Sequence, residues 1–226
     1  MLRSNVQRNP RTRIVRIVAE LEEIPVKLVE VIPRQNVGKT EYMAKFPLSQ
    51  GKIPGIEMQG LRLTETIAIV TYLSKFSNNA ALLGDGSREQ EASVLALMSW
   101  ANQELLPTLA LWFLPLIPGF IDPPPYSYST VESGKAKSLI LLTRLEEFVA
   151  GKQWLIGDHL TAADIMLAIY LSRGFEWVLD AKWREGHPNI MKHFLAVVGQ
   201  DAVKRVVPEF VLIETATPNV NPYEQK

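Results

Sequence analysis

Apolar residues recur at helical spacing through Ile14, Ile17, Val18 and Leu21, with charges between them, and the repeat stops at Pro25. Asn9-Pro10 supplies a capping side chain followed by a proline suited to a first helical turn, so a helix is expected to begin there. Met1 to Asn5 is a candidate strand, and Val26 to Ile32, dense in branched residues, predicts a second. After a polar stretch with a short helix at Thr40 to Lys45, strands are expected at Ile53 to Met58 and Leu61 to Leu63, with the turn at Gly60. Thr64 is expected to cap a helix whose apolar positions Ile67, Ala68, Val70, Tyr72 and Leu73 carry it to Phe76. The order is β-α-β, loop, β-β-α.

The pattern changes after Asn78-Asn79, and from there helical periodicity dominates. The expected division is a first domain over 1–80, a linker over 81–87 and an all-helical domain over 88–226. Its helices are predicted at Arg88 to Pro107, continuing from Leu109 to Leu116 beyond a proline kink, then Val131 to Val149, Thr161 to Leu179, Pro188 to Val198 and Asp201 to Val206. Between the second and third lies a proline-rich loop, Ile117 to Tyr128. Thr161 with Asp164 three positions later is a reciprocal capping pair, a folding signal rather than a substrate contact.

Composition narrows the chemistry. Twenty-four basic residues balance 24 acidic ones without a long basic run, which argues against a nucleic-acid footprint. No apolar run reaches the roughly 18 residues of a membrane span, and neither end carries a targeting or anchoring signal, so a cytoplasmic protein is expected. Cysteine is absent, which excludes disulfides, cysteine-zinc sites and a cysteine nucleophile. Thiol chemistry would need a thiol brought by a ligand. His159, His187 and His193 have no metal-ligand spacing, and no metal is expected.

Several segments carry a family resemblance, in order along the chain. Asn9-Pro-Arg-Thr-Arg13 looks like a loop leading into a first helix, Gly51-Lys-Ile-Pro54 fits G-[KQ]-[VI]-P, and Leu63-Thr-Glu-Thr-Ile-Ala-Ile69 fits L-x-E-S-x-A-I. Trp154 to Asp164 fits W-L-x-G-x-x-[LFV]-[ST]-x-A-D. Jointly these resemble the glutathione S-transferase superfamily. Lys45-Phe-Pro47, Ser99-Trp-Ala101 and Trp112-Phe-Leu-Pro115 look most like the transferase-like domain of the elongation factor 1 gamma subunit and related fungal transferases. The resemblance implies an α/β plus all-α architecture, a thioredoxin-like βαβ-ββα domain followed by helices, glutathione as co-substrate, and a homodimer in which the first domain of one subunit packs on the helices of the other.

Carried onto this chain, the resemblance implies a glutathione site of Lys39, Lys52, Ile53, Pro54, Glu65 and Thr66. Pro54 would follow a cis peptide that turns Ile53 so its backbone meets the cysteinyl unit. Lys52, and Lys39 near the glycyl end, would meet carboxylates, Glu65 the ligand ammonium, and Thr66 with the helix-start amides the α-carboxylate. Thr66 keeps the hydroxyl of the commoner serine. Each also has a plain reading: a strand end, a helix start, solvated lysines.

Catalysis requires lowering the thiol pKa from roughly 8.5, which a donated hydrogen bond and positive potential achieve. No tyrosine precedes Tyr42, and by the spacing to Val15 it is Asn9 that stands in the place of the family's serine. Asn9 is thus a thiolate donor, a helix cap or both, with Arg8 and Arg11 adding charge. The hydrophobic substrate is expected against Trp100, Leu105, Trp112, Phe113, Phe175 and Trp177, although aromatics at helical spacing also build cores. The expected activity is attack of the glutathione thiolate on an apolar electrophile, giving a thioether or, by reversible addition, isomerisation of a conjugated double bond in small-molecule metabolism, secondary metabolism included. The rivals are a non-catalytic scaffold, as in the gamma subunit, whose further C-terminal domain has no counterpart in this sequence, and a hydrophobic-ligand carrier.

Overall fold

The computed structural model describes residues 9–32, 37–76, 81–119 and 124–224. Helix α1, Pro10–Leu21, starts where the sequence places it: Asn9 Oδ1 accepts the Thr12 N–H at 3.0 Å, satisfying one of the first-turn donors. Helix α2 spans Lys39–Lys45. Strands β1, Gly55–Met58, and β2, Leu61–Thr64, form an antiparallel hairpin pairing Gly55 with Thr64 and Met58 with Leu61. The two turn residues, Gln59 and Gly60, both have positive φ, the primed turn geometry that follows the right-handed twist of a hairpin.

Three expectations in this half need correction. Val26 to Ile32 forms no strand; its pairing is a single bridge from Ile32 to Val37, and Val26, Leu28 and Val29 are exposed. A strand exists through its ladder, and no partner runs alongside this segment among the described residues. The expected neighbour, Met1 to Asn5, lies outside them. Helix α3, Thr66–Leu73, is capped at Glu65 rather than Thr64, because Thr64 is still paired in the hairpin. It also ends before Phe76, which follows in a turn.

Helix α4, Arg88–Trp100, runs into a π-helical turn, Ala101–Leu105, and then α5, Leu106–Phe113. The proline kink predicted here takes that form: Pro107 has no N–H to give and its ring crowds the carbonyl one turn earlier, so the backbone widens by a residue just before it. A 3₁₀ turn covers Leu114–Leu116. Helix α6 spans Tyr128–Val149, starting three residues before its predicted first residue because Ser127 caps it, and α7 spans Ala162–Phe175. A short helix α8, Ala181–Glu185, was not expected; Asp180 caps it through the Trp183 N–H. Helices α9, Pro188–Val198, and α10, Asp201–Val206, have the predicted bounds.

One apolar core links the two halves. Ile14, Ile17 and Val18 of α1 join Ile69 and Val70 of α3 and Leu105, Ile165 and Ile169 in a continuous cluster. Helix α1 packs on α3, α7 and α10, so its position is fixed from both sides. Two carboxylates organise the helical half. Asp164 is fully buried and accepts from Leu155 N, Thr161 N, the Thr161 hydroxyl and His193 Nε2, at 2.6 to 2.8 Å. Glu146 reaches from α6 to the start of α9, accepting from the N–H groups of Asn189 and Ile190 at 2.9 and 2.8 Å.

Helices α5 and α6 approach most closely at Gly134, where an added Cβ would stand 2.8 Å from backbone atoms of Leu111 and Trp112. Backbone cannot retract as a flexible side chain can. Gly134→Ala is therefore expected to destabilise the fold by about 1–3 kcal/mol through overpacking, read as a lowered midpoint in thermal or denaturant unfolding.

Candidate functional site

The hairpin root gathers the predicted binding residues. Because Gly55 pairs with Thr64, the residues just outside the ladder, Pro54 and Glu65, face one another across its open end. The Ile53–Pro54 peptide is cis. The Ile53 N–H and C=O make no hydrogen bond among the described residues, so this backbone edge is open to a peptide ligand. Lys52 is exposed, and the stem of Lys39 lies over Gly51, its Cε 3.1 Å from where a Cβ there would be. Gly51 has φ 79°, so glycine meets both the backbone conformation and the close approach.

Glu65 has an exposed side chain and a backbone at φ 66°, ψ 115°, outside the regions comfortable for a non-glycine residue. Such conformations cost on the order of 1–3 kcal/mol and cluster where a ligand needs a backbone held in place. Its carbonyl still accepts the Ile69 N–H at 3.0 Å, so α3 begins cleanly behind it. Thr66, at the first helical position, is only 4% exposed, while Glu65 stands at the rim.

Tyr42 is a supporting residue that sequence reading missed. Its hydroxyl donates to the Lys52 carbonyl at 2.8 Å, its ring packs on Phe46, and Gly55 is held close beneath, with a Cβ there falling 2.8 Å from the Tyr42 oxygen. Burial pushes the phenol up to about 12, with the nearby Glu65 charge adding in the same direction, so the donor keeps its proton throughout the physiological range. The visible signal was an aromatic pair at i, i+4, Tyr42 and Phe46, on a helix too short to carry its own core.

At the start of α1, Asn9 spends its side-chain oxygen on the Thr12 N–H, and its amide N–H groups have no partner among the described residues, so the cap and donor readings are compatible. Arg11 crosses to the helical half, where its Nε donates to Asn102 Oδ1 at 3.2 Å and its guanidinium lies 6.0 Å from the centre of the Tyr170 ring. Tyr170 also donates to Asn102 Oδ1, at 2.9 Å. Arg8 lies outside the described residues.

The profile of the glutathione S-transferase N-terminal domain matches residues 5–75 and that of the C-terminal domain matches 108–201. A glutathione S-transferase of Emericella nidulans is 30% identical over 96% of this chain and 79% of its own length, and a second from that organism, stcT, is 31% identical over 93% of each. The chain belongs to the glutathione S-transferase family. Its fold matches the transferase-like domain of elongation factor 1-gamma from Saccharomyces cerevisiae with a TM-score of 0.77, at 24% identity over 93% of this chain and 94% of that one.

In this chain the aromatic wall proposed for the second substrate is largely core. Leu105 and Phe175 are fully buried, and Trp112 and Phe113 nearly so, within the cluster that joins α5, α6 and α7. Trp177 is half-buried after α7, its indole N–H without a partner. Trp100 alone of the six lines an open apolar groove, of about 320 Å³, with Leu97, Leu141, Leu145, Phe148 and Leu167. Residues two apart on a helix point to nearly opposite sides, so this groove faces away from Asn102 and from the start of α1. The histidines serve structure: His159 meets Asp158 and the Ala81 carbonyl, His187 the Trp183 carbonyl, and His193 the Asp164 carboxylate.

Tyr42 and Tyr170 both have phenols raised from 10.0 to about 12, chiefly by burial. A raised folded value means a contribution complete below pH 10 and lost as pH climbs toward 12. Stability measured by denaturant titration should fall across that window, and Tyr42→Phe should make the fall shallower while costing about 1 kcal/mol at neutral pH through the lost hydrogen bond.

Proposed function

We propose that the chain is an enzyme that binds glutathione at the hairpin root and activates its thiol for transfer to an electrophilic small molecule. The carrying observation is the convergence of Lys39, Lys52, the open Ile53 edge, Pro54, Glu65 and Thr66 on one end of the hairpin, with Glu65 held at positive φ. A tripeptide with two carboxylates and an ammonium finds there two lysines for one end, a backbone edge for the middle, and a carboxylate with a helix start for the other. Asn9 and Arg11, at the positive end of α1, are the candidates to stabilise the thiolate; Arg8 is included on sequence alone.

In the reaction the thiol gives its proton to solvent, the thiolate attacks an electrophilic carbon, and a carbon–sulfur bond forms as a leaving group departs or a double bond opens. Where the addition reverses after rotation about the opened bond, glutathione is regenerated and the outcome is isomerisation. The family membership and the two fungal relatives support the conjugating reading. The likeness to the elongation factor 1-gamma domain favours a second one, a scaffold without chemistry. We place the enzyme in the cytoplasm, with domains at 1–80 and 88–226; no helix among the described residues is long and apolar enough to cross a membrane.

A homodimer completes the proposal. Leu48, on the 3₁₀ turn Pro47–Ser49, is 90% exposed, an apolar knob with nothing to cover it among the described residues. The groove lined by Trp100 and Phe148 lies on the helical half and takes such a side chain, so a two-fold pairing would cover both features twice.

Calorimetric titration with glutathione tests the site. Wild type should bind, and Glu65→Gln should weaken binding by about 10- to 100-fold, the range for losing a charge-assisted hydrogen bond. Absence of binding would select the scaffold. For assembly, light scattering should give a dimer mass, and Leu48→Asp should shift it toward monomer without changing the unfolding midpoint of the isolated chain.

A further inference from the structure

We infer that Asn102 is a positioning residue that holds Arg11 toward the reacting sulfur without cancelling its charge. The inference rests on the glutathione site proposed above. An arginine at the end of a helix ordinarily samples many rotamers, and fixing it costs side-chain entropy. Here the Nε is held by Asn102 Oδ1, and the same oxygen takes the Tyr170 hydroxyl. With both donors on one oxygen, the carboxamide has a single orientation, Oδ1 toward Arg11 and Tyr170 and Nδ2 turned away. The Tyr170 phenol is buried in α7 and keeps its proton, so the clamp persists across the working pH range.

The residue type matters as much as its place. An aspartate would accept the same two bonds and would also neutralise the guanidinium it holds. Asparagine is a neutral acceptor and leaves the full positive charge beside the α1 start. The Nδ2 of Asn102 has no hydrogen-bond partner among the described residues and stays available to a ligand, while the Arg11 guanidinium also acts on the Tyr170 phenol, partly offsetting the rise that burial causes. The π turn Ala101–Leu105 supplies the placement: the widened turn sets the Asn102 side chain opposite the face that Trp100 presents to the apolar groove.

The test is the thiol pKa of bound glutathione, followed by thiolate absorbance against pH at saturating ligand, with calorimetry confirming occupancy. Wild type should show a value well below that of free glutathione. Asn102→Asp, nearly isosteric, should raise it by about one unit or more through the new negative charge paired with Arg11. Asn102→Leu should raise it by less, and should have no further effect once Arg11 is replaced by Met, since a positioning residue acts only through its partner. Tyr170→Phe, which removes the second donor on Asn102 Oδ1, should raise the value by no more than Asn102→Leu does. Circular dichroism and melting confirm that each variant is folded. An unshifted pKa in wild type, or one unchanged in Asn102→Asp and Asn102→Leu, overturns the role of Asn102 while leaving the glutathione site standing. Failure of wild type to bind glutathione overturns both.

Discussion

A single buried carboxylate sets the frame. Asp164 has no exposed surface and would be costly to bury as an ion unless its oxygens were satisfied; four donors satisfy them. Those donors come from the loop before α7, from Thr161 that caps α7 and from α9, so satisfying the carboxylate ties the start of α7 to that loop and to α9. Helix α7 then carries Tyr170 to Asn102, Asn102 receives Arg11, and Arg11 ties the start of α1 to the helical half. A folding signal distant from the hairpin root thereby governs the side chain nearest to the proposed chemistry.

The hairpin root depends on a smaller device of the same kind. Its binding residues are held by the ladder register, by the Tyr42 bond to the Lys52 carbonyl and by the absence of side chains at Gly51 and Gly55. The site is thus shaped mainly by backbone, which suits a peptide ligand with little surface besides its polar ends.

How far this was legible in the sequence follows from where the information lies. Helix starts at Asn9 and Thr161 were readable because capping is local, and the G-K-I-P and L-x-E segments marked the hairpin root because their glycine, proline and acidic residues have few other uses in that order. The Val26 to Ile32 strand failed because pairing is a property of two segments, while propensity sees one. The aromatic wall failed for a related reason: Trp112, Phe113 and Phe175 repeat at helical spacing whether they face a ligand or a neighbouring helix, and here they face helices. Asn102 and Tyr42 were invisible because each works through a residue distant in sequence or through a backbone carbonyl. The π turn was legible only as a kink at Pro107.

The Glu146 carboxylate has a wider consequence. Helix α9 begins at Pro188, which has no N–H, and takes the acceptor for its first two N–H groups, of Asn189 and Ile190, from a helix more than 40 residues earlier in the chain, while its own His187 provides no side-chain cap. Its first turn is therefore incomplete as an isolated segment and becomes complete only on docking against α6. The start of α9 thus inherits its order from an element made before it, and opening α6 leaves these donors without their acceptor.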